Sequence, residues 1–125
     1  MEYEITGKEI TGIYFKTFDN NIMYLESVLI KCGEESFLLS AQQDDDTIKL
    51  TQVKPDFGKK EYQNIIKLQH PLKDVIGNTV VWSWLLKNNQ GYIDGFQIAI
   101  RGIGEFQFMV EASFIRISKL TRIKF

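Results

Sequence analysis

The chain has 125 residues, of which 44% are hydrophobic and 25% charged, and a formal net charge of −1. This length predicts one domain over 1–125, burying roughly two-thirds of the surface of the unfolded chain. The balanced charge supplies no broad field for nucleic acid or an anionic membrane, and a single cysteine, Cys32, excludes an internal disulfide or a multi-cysteine metal site.

The N-terminal Met1-Glu2-Tyr3-Glu4 lacks the basic and apolar parts of a signal peptide, so a cytoplasmic setting is expected. No apolar run approaches the roughly 20 residues that span a bilayer. Strand signals then dominate. Ile10 to Phe18 is rich in β-branched and aromatic residues, and Asp19-Asn20-Asn21 is a turn. Met23 to Lys31 is the return strand, and Cys32-Gly33-Glu34-Glu35 turns again. Ser36 to Ala41 and Thr47 to Val53 follow as strands, separated by the polar loop Gln42-Gln43-Asp44-Asp45-Asp46. Pro55-Asp56-Phe57-Gly58 is a turn, and Glu61 to Leu68 reads as a short helix or an extra strand. Leu72 to Ile76 is a short helical turn that cannot begin far before Pro71.

Thr79 to Lys87 is the next strand, with Val80, Trp82 and Trp84 on one face and Val81, Ser83 and Leu85 on the other. Asn88-Asn89-Gln90-Gly91 is a hairpin turn into Tyr92 to Ile100. Arg101-Gly102-Ile103-Gly104 is a turn between strands and lacks the strand-to-helix context of a phosphate loop. Glu105 to Glu111 and Ser113 to Ile123 complete the set.

One pattern recurs. Gly7 and Ile10 lead through Tyr14 to Tyr24-Leu25-Glu26-Ser27-Val28-Leu29-Ile30; Gly77 and Val80 lead through Trp84 to Tyr92-Ile93-Asp94-Gly95-Phe96-Gln97-Ile98. The lead-ins Tyr3–Gly7 and Lys73–Gly77 also match, each as a short helical turn ending at Gly. Self-similarity at fixed spacing points to an internal duplication, about 3–53 and 73–123. The expected fold is mainly β: two similar antiparallel β-meanders, about eight strands, packed as a sandwich or open barrel with short helical turns. An α+β arrangement is the alternative. The best helix-period match, Tyr62, Ile65, Ile66 and Gln69, is too short to favour it.

The second half carries Leu72-x-Asp74-Val75-x-Gly77, Val81-Trp82-Ser83-Trp84 and Asn89-Gln90-Gly91-Tyr92-x-Asp94-Gly95. With Asp44-Asp45-Asp46-Thr47-Ile48, these segments resemble a family of small bacterial proteins classed as a domain of unknown function. The resemblance covers about half of the chain. It implies a bacterial source and brings no activity with it.

Several groups of residues are weighed as candidates for function. Asp44, Asp45 and Asp46 could meet a hard cation or a basic partner, but adjacent side chains diverge and the alternate-position spacing of a calcium loop is absent; a solvated loop is the plainer reading. Trp82 and Trp84 share a face, which is core if it points inward and a binding surface if it is open. Tyr92-x-Asp94, like Tyr24-x-Glu26, places an acid on the strand face that continues into Phe96 and Ile98. Such an acid needs a partner, either a turn amide or the Trp84 indole, or else it is a catalytic carboxylate. The repeat favours structure over catalysis. His70, alone before Pro71, has neither the metal-site companions nor the nucleophile of a catalytic pair, and Cys32 has no CxxC partner. The basic residues Arg116, Lys119, Arg122 and Lys124 divide between two strand faces, which disfavours a nucleic-acid groove. No catalytic constellation, metal site or cofactor motif stands out. The leading expectation is therefore a non-enzymatic, cytoplasmic, protein-binding module of immunity-like or regulatory type. The alternative is a small-ligand binder or enzyme around Trp82, Trp84, Tyr92 and Asp94, and a third possibility is self-association through an exposed strand.

Overall fold

The protein is seen in a computed structural model that describes residues 5–19, 21–42, 44–67 and 70–120, with the backbone alone at 22 and 23. Among the described residues, nine strands form one curled antiparallel sheet, a half-barrel. The first meander consists of β1 (Gly12–Phe18), β2 (Asn21–Cys32), β3 (Glu35–Gln42) and β4 (Thr47–Val53). A two-residue strand, β5 (Gln63–Asn64), and the 3-10 turns Ile65–Lys67 and Pro71–Val75 lie in the connection. The second meander consists of β6 (Val80–Lys87), β7 (Ile93–Ile100), β8 (Gly104–Glu111) and β9 (Phe114–Leu120). Strands take up 61% of the chain and helical turns 7%, so the α+β alternative is set aside. The segment Glu61 to Leu68, expected as helix or strand, is both in succession; Leu68 itself lies outside the described residues. So do Tyr3 and Glu4 of the first lead-in, Asn20 of the first turn, Gln43 of the polar loop, Gln69, and Arg122 and Lys124 of the basic C-terminus.

The sheet order is β4-β3-β2-β9-β8-β7-β6, with β1 on the other edge of β2 and β5 on the outside of β1. The meanders join at two places. Leu25 of β2 pairs with Ile115 of β9. The lead-in strands also pair with one another, centred on an antiparallel bridge between Glu9 and Thr79.

That second junction is symmetric under an exchange of residues 70 apart, the spacing of Gly7 and Gly77. Gly7 N donates to Val80 O at 2.7 Å, and Gly77 N donates to Ile10 O at 2.7 Å. Ile10 N donates to Asn78 O at 2.9 Å, and Val80 N donates to Lys8 O at 2.9 Å. Each bond is the image of its companion, and Glu9–Thr79 lies at the centre. Gly7 and Gly77 share the left-handed backbone too, with φ of +88° and +87°, a region that glycine enters without a Cβ clash.

The core lies on the concave face and draws on both meanders. Ile13, Phe15, Val28, Ile30, Phe37 and Leu39 come from the first, and Phe96, Ile98, Phe106, Phe108 and Ile115 from the second. All have the alternate spacing that turns one side of a strand inward. At about 25 cal/mol per Å² of apolar surface removed from water, this shared layer is the main stabilising term. Ile5, Ile10, Val75 and Val80, from the lead-ins, close one end of it.

Candidate functional site

Trp82 and Trp84 stand on the outer face of the second meander, 61% and 40% exposed. Their face is open, so the pair is not part of the core. Val80, expected beside them, is instead fully buried in the core. A bulge is the cause: Val80 pairs with Ile100 and Trp82 with Ala99, so Val81 is an extra residue that reverses the alternation. Beyond it Ser83 and Leu85 oppose the inward-facing Ile98 and Phe96, while Trp84 and Leu86 oppose Gln97 and Gly95. The register carries the outer row onward, from Gln97 to Gln107 to Ser118 and from Gly95 to Met109 to Arg116. Gln107 Nε2 donates to Gln97 Oε1 at 3.2 Å. Leu86 and Met109 close over Gly95, where a Cβ would collide with the Met109 sulfur. The outer face is thus an aromatic strip along β6 beside a half-buried amide and thioether floor. Gln97, Gln107 and Met109 were not candidates from the sequence; only cross-strand register brings them to the tryptophans.

The matching face of the first meander is covered by the chain itself. Tyr14 occupies the place of Trp84, and Leu29 and Leu38 continue its row. Leu29 is buried although it faces away from the core. The connection after β4 folds back over this face. Tyr62 Oη and Ser27 Oγ are 2.6 Å apart, and Lys31 Nζ donates to Pro55 O at 3.2 Å. Phe57 stacks on Tyr62 with ring centroids 5.8 Å apart. β5 then pairs with the edge of β1 at Tyr14 and Phe15. Among the described residues, no equivalent segment lies over Trp82 and Trp84.

Tyr92 and Asp94 lie at one end of the second meander. Asn88 orders the hairpin: its Oδ1 accepts from Gln90 N at 2.9 Å and from Tyr92 N at 3.1 Å, and its Nδ2 donates to Asp94 Oδ2 at 3.4 Å. Of the two partners expected for Asp94, a turn amide or the Trp84 indole, the turn supplies one through the side-chain amide of Asn88. It does not share the face of Phe96 and Ile98 either. Leu86 pairs with Gly95 and Lys87 with Ile93, so Asp94 is the unpaired residue of a bulge. Its counterpart Glu26 is skipped in the same way, between Ser27 opposite Lys16 and Leu25 opposite Thr17. The repeated acid thus marks a repeated bulge, which removes it from the apolar face. Tyr92 is 53% exposed.

Asp44, Asp45 and Asp46 are all exposed in the β3–β4 turn. Asp45 Oδ1 accepts from Thr47 N and from Thr47 Oγ1, at 3.2 and 2.6 Å, and Asp46 Oδ1 accepts from Ser113 Oγ at 3.2 Å. Ser113 lies in the β8–β9 turn, which the ladder places at the same end of the second meander as Tyr92 and Asp94. An aromatic cluster flanks that turn: the Phe114 ring lies 4.9 Å from Tyr24 and 5.8 Å from Phe18. Trp82, Trp84 and these acids thus form two regions, a sheet face and a sheet end. Among the described residues, no three His, Cys, Asp or Glu side chains gather as metal ligands do.

The remaining reactive side chains have local tasks. His70 caps the turn Pro71–Val75, its Nδ1 accepting from Leu72 N at 3.0 Å. Burial pushes the Cys32 thiol up from 9.0 to about 11, so it stays neutral and a poor nucleophile. An open cleft of about 350 Å³ runs along Asp56, Gly58, Lys59, Lys60 and Glu61 in the connection, away from the tryptophans.

These features describe a small all-β half-barrel with one self-covered outer face and one bearing exposed tryptophans. The chain belongs to a family of unknown function (DUF6334), which matches residues 1–124. No curated protein and no solved structure matches it.

Proposed function

We propose that the chain is a non-enzymatic protein-binding module of a bacterial cytoplasm, built on a duplicated four-stranded meander, whose partner docks on the Trp82/Trp84 face. The observation that carries this reading is the difference between the two outer faces. The first is sealed by the connection through Phe57 and Tyr62, and the second presents tryptophans at the matching place. Exposed Trp and Tyr are the residues that most often anchor protein contacts. A small-molecule site needs a concave cleft, and Trp82, Trp84 and Tyr92 are instead exposed side chains of a sheet face and a hairpin end. The acidic turn Asp44–Asp46 gives a basic partner a steering charge at the rim. Immunity to a toxin and regulation of an enzyme are the two roles this surface would serve, and a toxin gene beside the chain's own gene would select the first.

The test is a photoreactive phenylalanine analogue placed at position 84, and separately at position 57, in cells that normally make the protein. The expected result is a discrete cross-linked band from position 84, identified by mass spectrometry, that is lost when Trp82 is also changed to Lys. No cross-link from position 84 under conditions where position 57 cross-links within its own chain would overturn the proposal.

A further inference from the structure

Leu25 of β2 and Ile115 of β9 are a buried pair at the seam between the meanders. Their chain neighbours Tyr24 and Phe114 turn to the opposite side, as alternation along a strand requires. There the Phe114 ring has Tyr24 at 4.9 Å and Phe18 at 5.8 Å, with interplanar angles of 46° and 47°. Rings tilted in this way do not lie flat on one another, and Phe18 and Tyr24 are 50% and 45% exposed. The fold does not need such a trio at a seam. β4 lies against β7 in the matching relation, and Tyr92, the counterpart of Tyr24, has no ring contact among the described residues. Acids border the rings on both sides. Asp19 follows Phe18 directly, and Asp46 accepts at 3.2 Å from Ser113, which precedes Phe114. Asp44 and Asp45 lie in the same turn as Asp46. Among the described residues none of these four carboxylates has a salt bridge, whereas the bases two residues from the rings are engaged. Lys16 Nζ lies 3.7 Å from Glu26 and 3.4 Å from Glu61, and Arg116 Nη1 lies 3.3 Å from Glu111. Elsewhere the chain sets its own cations over its rings: Lys31 Nζ is 5.3 Å from the Tyr14 centroid and Lys119 Nζ 5.9 Å from that of Phe106. Among the described residues no cation is placed over Phe18, Tyr24 or Phe114.

We infer that this seam is a second docking site, which takes an arginine-bearing basic segment of a partner protein. A guanidinium stacks on the open faces of Phe18, Tyr24 and Phe114, and Asp19 with the Asp44–Asp46 turn pairs with the positive charges beside it. Charge selects the occupant: four carboxylates without a cation repel an acidic partner and attract a basic one. The rings select arginine over lysine, because the planar guanidinium is weakly hydrated and stacks on an aromatic face while still donating to a carboxylate. The turns hold the acids in place. Among the described residues, the four non-glycine positions with left-handed backbone are Asp19, Asp46, Ala112 and Ser113, all in the turns that border the rings. Such conformations persist only where their surroundings fix them, so little ordering is left for binding to impose. The site goes beyond the Trp82/Trp84 face and does not depend on it.

The test is a titration of the isotope-labelled full chain with acetyl-hexaarginine amide, followed by the ring and amide signals in nuclear magnetic resonance. The hexalysine peptide of equal charge and an uncharged hexaglutamine peptide are run beside it. The expected result is a saturable shift of the Phe18, Tyr24 and Phe114 ring signals by the arginine peptide, which binds more tightly than the lysine peptide and weakens as salt is added. Tyr24→Leu removes one π face but keeps an apolar side chain there, and is expected to weaken arginine binding about two- to fivefold. Asp19→Asn combined with Asp46→Asn is expected to weaken both charged peptides alike, and Trp84→Gln to leave the ring shifts unchanged. Shifts at the acidic turns alone, with equal affinity for arginine and lysine, overturn the inference. So does an equal response to hexaglutamine, which would give the rings to an uncharged partner. If Tyr24→Leu alters the fold, the ring signals of the unaltered chain and the comparison of arginine with lysine decide alone. The two docking readings fail separately: a lost ring response leaves the cross-link from position 84 standing, and a lost cross-link leaves the ring response standing.

Discussion

Ser27 and Ser36 are both buried on the outer face of the first meander, in opposite circumstances. The Ser27 hydroxyl is bonded to Tyr62, whereas the Ser36 hydroxyl is buried with no hydrogen-bond partner. A buried hydroxyl without a partner costs about 1–3 kcal/mol, and a bonded one returns most of that. Ser36→Ala is therefore expected to raise the stability measured by urea unfolding by about 1 kcal/mol, and Ser27→Ala to lower it by a similar amount. Cys32 gives a pH test. Its folded-state value of about 11 lies above the 9.0 of a free thiol because burial disfavours the thiolate. A group raised in this way binds its proton more tightly in the folded chain, so its contribution is complete below pH 9.0 and is lost as pH rises towards about 11. The observable is a difference, which isolates the thiol from the rest of the chain: the stability gap between the natural chain and Cys32→Ala should shrink from pH 9.0 to about 11. A constant gap would show that the thiol does not titrate late.

Strand existence was legible in the sequence, to within one or two residues at the ends that the structure describes; the expected end of the last strand at Ile123 lies outside them. The expected Thr47 to Val53 is β4, and the expected Thr79 to Lys87 is β6 with Thr79 reduced to a bridge. Alternation of apolar residues is a local signal, and it survives wherever the ladder is regular. It fails at bulges, because an extra residue changes which side chains share a face without changing the composition of the strand. Val81, Glu26 and Asp94 are places where this happened, and the β1–β2 ladder shifts once more between Thr17 and Phe18. For the candidate site the consequence was large: the sequence paired Trp82 and Trp84 correctly but could not say which way they faced. The paired lead-ins were legible as a repeat but not as partners, since nothing local says that residues 70 apart meet across an axis. That junction makes a quantitative prediction. Gly7 and Gly77 have the same φ, and an added Cβ at either would meet nothing within 4 Å, so only backbone strain remains. Gly7→Ala and Gly77→Ala are each expected to lower the unfolding free energy by about 1–2 kcal/mol, and by equal amounts within error. Markedly unequal losses would mean that the two lead-ins are alike in sequence only.

At the scale of the molecule, two meanders of the same plan raise the question of whether either is a folding unit. A four-stranded sheet with one apolar face gains little until that face is covered. Here each copy covers the other. Phe37 and Leu39 belong to one core cluster with Phe106 and Phe108, β2 meets β9, and β4 lies against β7 in the matching relation. The bonds between the lead-ins also cross from one half to the other, so dividing the chain removes them all. A chain of about 60 residues buries only about 60% of its surface even when compact, and these halves would not bury their concave faces at all. Residues 1–67 and 68–125 made separately are therefore expected to lack cooperative thermal unfolding, and to regain it together, with strand-type circular dichroism, when mixed at equal concentration. The mixed sample should melt below the intact chain and its midpoint should rise with concentration, because association has become bimolecular. A half that melts cooperatively as a monomer would show that the meander is itself a domain, and the shared core would then be a docking surface between two domains that later fused.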